Sequence, residues 1–166
     1  MRYYDYFDSP QGRMLLVASD AGLSGVYFAR QKYFPKKEKA WSRSARHALL
    51  QQTKRELKEY FAGKRKRFEV ALDPQGTVFQ RGIWKAISKV GFGRTLTYGE
   101  LARRAGHPGS ARAAGAATGR NPIGIIVPCH RIMGSDGSLT GYAGGLNRKR
   151  ELLEMEGVLS GELLAS

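Results

Sequence analysis

The 166-residue chain has a single cysteine, Cys129. One thiol cannot close an internal disulfide, so the fold does not depend on an oxidising compartment, and it cannot supply the several thiolates of a structural zinc site. Long apolar runs are lacking too. None approaches the roughly 18–20 residues of a membrane span, and no membrane association is expected. The opening MRYYDYFDSP has acidic and tyrosyl residues where a signal peptide would be apolar, so a cytoplasmic location is the expectation. Acidic residues are scarce: 14 Asp and Glu stand against 28 Lys and Arg, a net charge of +14. The excess is +8 over residues 1–74 and +6 over 75–166, so it is not held in one tail. That balance favours a nucleic-acid partner over an acidic membrane surface or an acidic protein. The one short basic run, Lys64–Arg67, reads equally well as a solvated loop.

With 42% hydrophobic and 25% charged residues, the chain can bury one good core or two small ones. Tyr3–Phe7, Met14–Ser19 and Leu23–Ala29 are β-branched and aromatic stretches separated by SPQG and DAG, which predicts a small antiparallel meander. A helix is expected within Ser44–Gly63, with Leu49, Leu57, Tyr60 and Phe61 on one face and Gly63 closing it. Phe68–Thr77 reads as a last short strand followed by a linker. Beyond Thr77 the pattern is helical. Thr77 is a candidate N-cap, with Phe79, Ile83, Trp84 and Ile87 at helical spacing. Thr97 and Glu100 have the form of a capping box for a helix over Tyr98–Ala105. A second short helix, Ser110–Gly119, follows after Gly106 and Pro108, and such a pair has the shape of a helix-turn-helix or of an ordinary core pair. The last helix is expected to start at Asn147 as N-cap and end at Gly157, with Leu152, Leu153 and Met155 on its apolar side. The fold class predicted is α+β: an N-terminal antiparallel sheet with a helix (1–74), a mostly helical C-terminal domain (75–160) and a tail (161–166).

Cys129 sits in VPCHRI, after the apolar run Ile123, Ile125, Ile126, Val127. A lone cysteine is most often a small buried hydrophobe. Pro128, His130 and Arg131 turn the chain out of that run, however, and a thiol held near imidazole or guanidinium would have a lowered pKa. The stretch alone leaves core filler and reacting atom both open.

PCHRI, the upstream NPIGIIV and the downstream GYAGGLNRKRELLEMEG resemble the methylated-DNA–protein-cysteine methyltransferases, the direct-reversal proteins that take alkyl groups from O6 of guanine. GTVFQRGIW, TYGELA and ARAAGAATGRNP extend the resemblance over Thr77–Gly157, and SPQG and KRELKEYFAG carry it more loosely into the N-terminal half. It implies that Cys129 accepts the alkyl group, once per molecule and without metal or organic cofactor. O4-alkylthymine would be a poorer substrate. His130 would be the general base acting through a water, Glu156 would orient the imidazole, Asn121 would support the turn carrying the thiol, and Tyr98 would donate to N3 of the leaving guanine. Ser110–Gly119 would be the recognition helix of a monomer that enters the minor groove of double-stranded DNA and flips the base. Arg112 would fill the emptied space, and Ser110, Ala111, Ala113, Ala114, Gly115 and Thr118 would lie against the groove. The Ile132 backbone, Tyr142, Ala143 and Gly144 would wall the guanine pocket. Ala143 stands where many relatives have a serine able to donate to O6, and Gly124 where some have a proline.

Overall fold

A computed structural model describes residues 1–158; the expected tail, 161–166, lies outside the described residues. The chain forms two compact units, one of Met1–Gln75 with Pro122–Gly124, the other of Gly76–Asn121 with the chain from Ile125 onward. The architecture is the expected α+β one.

In the first unit β1 (Arg2–Ser9), β2 (Gly12–Ala18) and β3 (Leu23–Phe28) form an antiparallel meander. SPQG makes the first hairpin: Ser9 Oγ donates to the Gly12 carbonyl at 2.7 Å and accepts from the Gln11 amide. Gly12, at φ 111°, takes a conformation that side chains disfavour. Met14 to Ala18 are all buried, so β2 is covered on both faces, which a continuous apolar run of that length permits. Two expectations fail here. Ser44–His47 is not helical; instead β4 (Trp41–Arg43) adds to β1 in parallel, giving the order β3-β2-β1-β4, and Ser44 donates to the Tyr4 carbonyl. Ser44 thus continues the pairing with β1, Ala45 and Arg46 turn, and the helix starts only after His47. Phe68–Thr77 forms no strand, only an isolated bridge from Leu72 to Leu23.

The helix α1 (Ala48–Phe61) buries Leu50, Thr53, Leu57 and Tyr60, while Leu49 and Phe61 lie only partly covered. Gly63, at φ 75°, closes it. Glu56 is buried on the same face and accepts from the Glu69 amide at 2.7 Å and from Gln52. Arg65 reaches Glu59 at 3.2 Å and is anchored, while Lys64, Lys66 and Arg67 of the same basic run are exposed. Pro122–Gly124 lies along β3, with Val26 donating to the Pro122 carbonyl and Gly124 donating back to Val26. A proline at 124 would forfeit that second bond.

The second unit opens with α2 (Val78–Ser88), whose Thr77 and Gln80 complete a reciprocal capping box. Its buried face, Ile83, Trp84, Ala86 and Ile87, is anchored by Trp84 Nε1 donating to the Ala117 carbonyl at 2.8 Å. β5 (Leu96–Thr97) pairs in parallel with β6 (Ile132–Met133) and leads into α3 (Tyr98–Arg104). Thr97 caps α3, but Glu100 turns to Arg103 and Arg104 and does not complete the expected box. α4 (Ala111–Gly119) follows a turn in which Gly106 and Gly109 have positive φ, giving a helix-turn-helix arrangement. α5 (Leu146–Met155) begins one residue before Asn147, with Gly145 as its N-cap, so Asn147 is inside the helix. Leu152 and Leu153 are buried, whereas Met155 is exposed. No helix among the described residues is long and apolar enough to cross a membrane.

Candidate active site

Cys129 begins a single turn of 3-10 helix, Cys129–Arg131, directly before β6. Upstream, Ile125 is held at φ 68°, a strained conformation for a β-branched residue, and it is buried. Asn121 ends the preceding loop, and its Nδ2 donates to the Val127 carbonyl at 2.9 Å, tying the chain on both sides of the excursion through 122–124. The Asn121 side chain also bonds the thiol.

Cys129 is buried, at 7% exposed. Burial pushes its pKa up, against the pull of the Asn121 bond and the positive charge of Lys149. The neighbours adjacent in sequence do not lower it: the His130 imidazole and the Arg131 guanidinium turn toward Glu156, and desolvation dominates. At neutral pH the site holds a thiol that needs a base.

His130 is fully buried, and its Nε2 lies 2.8 Å from Glu156 Oε2. Burial lowers the imidazole pKa, opposed by Glu156 and assisted by the Arg131 and Lys149 charges, so the ring is neutral at pH 7. Against a carboxylate, Nε2 must carry the proton, which leaves the Nδ1 lone pair free. Nδ1 is buried and has no hydrogen-bond partner within the described residues. A neutral imidazole, oriented by a carboxylate and presenting an open lone pair, has the chemistry to take up a proton.

Glu156 is held from two sides. Arg131 Nε donates to Oε1 at 2.8 Å and Nη2 to Oε2 at 3.0 Å, while Nη1 donates to the Val90 carbonyl at 2.7 Å. This fork–fork pair is buried, and it neutralises the carboxylate and fixes its plane. Sequence reasoning missed Arg131. A second omission is Lys149: its ammonium is buried and donates to the carbonyls of Ile132, at 2.6 Å, and Thr140, at 2.7 Å. Burial lowers its pKa to about 8. The signal was present, because Lys149, Leu152, Leu153 and Glu156 share one helical face and two of the four are charged.

Tyr98, the first residue of α3, is half-buried, and its hydroxyl accepts from Thr140 Oγ1 at 3.2 Å. Tyr142 has its hydroxyl pKa raised well above the usual value, by burial first and then by the thiol nearby. Ile132 and Gly144 are buried, and Ala143 is half-buried. On α4, Arg112 and Ala113 are exposed, and Ser110, Ala111 and Gly115 partly so. Ala114 and Thr118 are buried, with Thr118 Oγ1 donating to the Ala114 carbonyl. Their side chains face the core, which removes them from the expected groove-facing set. At Gly115 a Cβ would stand 3.6 Å from the Tyr98 ring, so the small residue lies against that tyrosine. Among the described residues no cluster of three His, Cys, Asp or Glu side chains could hold a metal.

The ribonuclease-like domain of 6-O-methylguanine DNA methyltransferase matches residues 2–74, and the DNA-binding domain of the same family matches residues 78–158. The chain is 44% identical over 155 residues to a methylated-DNA–protein-cysteine methyltransferase of Methanosarcina acetivorans, covering 93% of this chain and 98% of the relative. It is 41% identical over 155 residues to that of Haemophilus influenzae, covering 93% of this chain and 86% of the relative. A crystal structure of Mycobacterium tuberculosis OGT in complex with DNA superposes with a TM-score of 0.87 at 44% identity, over 93% of each chain. With a buried thiol, a neutral imidazole and a clamped carboxylate in one unit, and matches along both halves, the chain belongs to the methylated-DNA–protein-cysteine methyltransferase family.

Proposed function

We infer that this protein repairs DNA by moving the alkyl group of O6-alkylguanine onto Cys129 in one irreversible step. The observation that carries the reading is the neutral His130, oriented by Glu156 and with its Nδ1 lone pair open, next in the chain to the buried Cys129. In the transfer, Sγ attacks the sp³ carbon on O6 as the C–O bond breaks. The thiol proton passes through a water to His130 Nδ1, guanine leaves carrying the bond's electron pair and takes up a proton from solvent, and the imidazolium returns its own proton to solvent. Tyr98, through its hydroxyl, donates to N3 as negative charge develops on the base. The product is a thioether with no hydrolytic exit, so each molecule acts once.

A thiol on a residue only 7% exposed cannot meet a base still stacked in the duplex, which supports extrusion of the guanine. Exposed Arg112, with Ser110, Ala111, Ala113 and Gly115, offers α4 to the minor groove, and Arg112 occupies the gap left in the stack. Ile132, Tyr142, Ala143 and Gly144 wall the pocket, and Asn121 holds the thiol's turn. The protein acts as a monomer in the cytoplasm. Incubation with duplex DNA bearing O6-methylguanine should add one methyl group to the Cys129 peptide, with lesion lost in equal amount. Intact lesion beside unmodified Cys129 would refute the assignment, and many lesions repaired per molecule would refute single use.

A further inference from the structure

The first unit carries a cluster of cations that the proposed transfer does not use. Three converge on the ring of Tyr6: the Arg13 guanidinium at 4.1 Å from the centroid, that of Arg43 at 5.1 Å and the Lys37 ammonium at 5.4 Å. Lys37 also lies 4.9 Å from the Tyr4 ring and donates to the Tyr6 hydroxyl at 2.8 Å. Tyr4 and Tyr6 stand two residues apart on β1, so they share a face, with their rings edge-on at 5.9 Å. Arg2 extends the group over Trp41.

A cation on a surface tyrosine is ordinary packing; three on one ring are not. Their mutual repulsion must be balanced, yet the acids close by are few. Asp5 is shared between Arg43 and Lys54, and Asp8 lies across from Arg13 in the β1–β2 register. Arg2, Arg13, Lys37, Arg43 and Lys54 thus outnumber the carboxylates. An aromatic ring positions a cation without neutralising it, whereas a carboxylate would cancel it. Arg13 and Lys37 are exposed and touch no carboxylate among the described residues, so their charge stays open to a partner.

We propose that this face of the first unit binds the phosphate backbone of duplex DNA flanking the lesion, with Tyr4 and Tyr6 holding Arg13 and Lys37 in place as phosphate ligands. The choice of DNA over another polyanion rests on the repair reading above. The binding is independent of sequence, because the cations offer no pattern of donors to base edges.

The test uses the full-length protein and a fluorescein-labelled duplex, with anisotropy recorded over a KCl series. Each phosphate contact adds about 0.9 to the slope of log K against log salt, so Arg13→Gln/Lys37→Gln should lower the slope by roughly 2. The double variant should keep its melting temperature and its rate of transfer from the free base O6-benzylguanine, which needs no duplex. Tyr6→Leu, which keeps the charges but frees them, should weaken binding with a smaller change in slope. An unchanged slope in the double variant overturns the proposal, as does loss of binding to anionic lipid vesicles with DNA binding intact. Failure of the unaltered protein to transfer any alkyl group would instead overturn the repair reading, and the slope can be measured regardless.

Discussion

At the residue scale, the site turns on pairs whose charges are not interchangeable. Glu156 is tolerated in the core because Arg131 grips both its oxygens. Arg131→Met should therefore cost roughly 3–5 kcal/mol, the usual cost of stranding one partner of a buried pair. Urea unfolding reads this directly, and transfer should slow in parallel because Glu156 loses its fixed plane. His130 predicts the pH dependence of the reaction. Only the neutral ring can act as base, and its pKa is below 6.5, so the single-turnover rate should rise with pH through a midpoint below 6.5 and be level by neutrality. A midpoint above 6.5 would contradict the neutral, desolvated imidazole. Of these residues Cys129, His130 and Glu156 were named from the sequence. Arg131 was not, because an arginine after a turn is ordinarily solvated and nothing local shows that it folds back on a carboxylate 25 positions away.

At the element scale, the helices were legible where their ends carry side-chain chemistry. Thr77 and Thr97 cap α2 and α3 as their sequences imply. Boundaries slipped where tertiary pairing competed, as at Ser44, which bonds β1, or where a backbone turn rather than a side chain makes the cap, as at Gly145. Gly82 lies inside α2, and a Cβ built there meets nothing within 4 Å. Gly82→Ala should stabilise by about 1 kcal/mol through helix propensity alone, raising Tm by about 2–4 °C. At the other end of the unit, Lys149 ties α5 to β6 and to Thr140. Lys149→Met leaves both carbonyls without that donor, so amide exchange over 133–145 should quicken while α2 keeps its protection.

At the scale of the whole molecule, burial of the histidine links stability to acid. The folded ring has a lowered pKa, so as pH falls below 6.5 the unfolded chain takes up a proton that the folded chain refuses. The stability present above 6.5 is therefore lost progressively below it. Melting at pH 7 and pH 5 should show the decline, and His130→Gln should flatten it. Lys149 has the same sign in another window. Between about 8 and 10.5 the unfolded chain holds a proton that the folded one has released, so its contribution to stability rises with pH there. The charge of +14 sets the remaining expectation at this scale, strong salt dependence of DNA binding.

The sequence by itself determined the β1–β3 meander, the main helices, the single cysteine and the family, since these are written in turn residues, caps, apolar spacing and long local motifs. Tertiary structure alone decided the protonation of the thiol, the tautomer of His130, the pairing of Arg131 with Glu156 and the inward aspect of Ala114 and Thr118. Those depend on how far water is excluded and on which distant groups meet, and both arise only when the chain has closed.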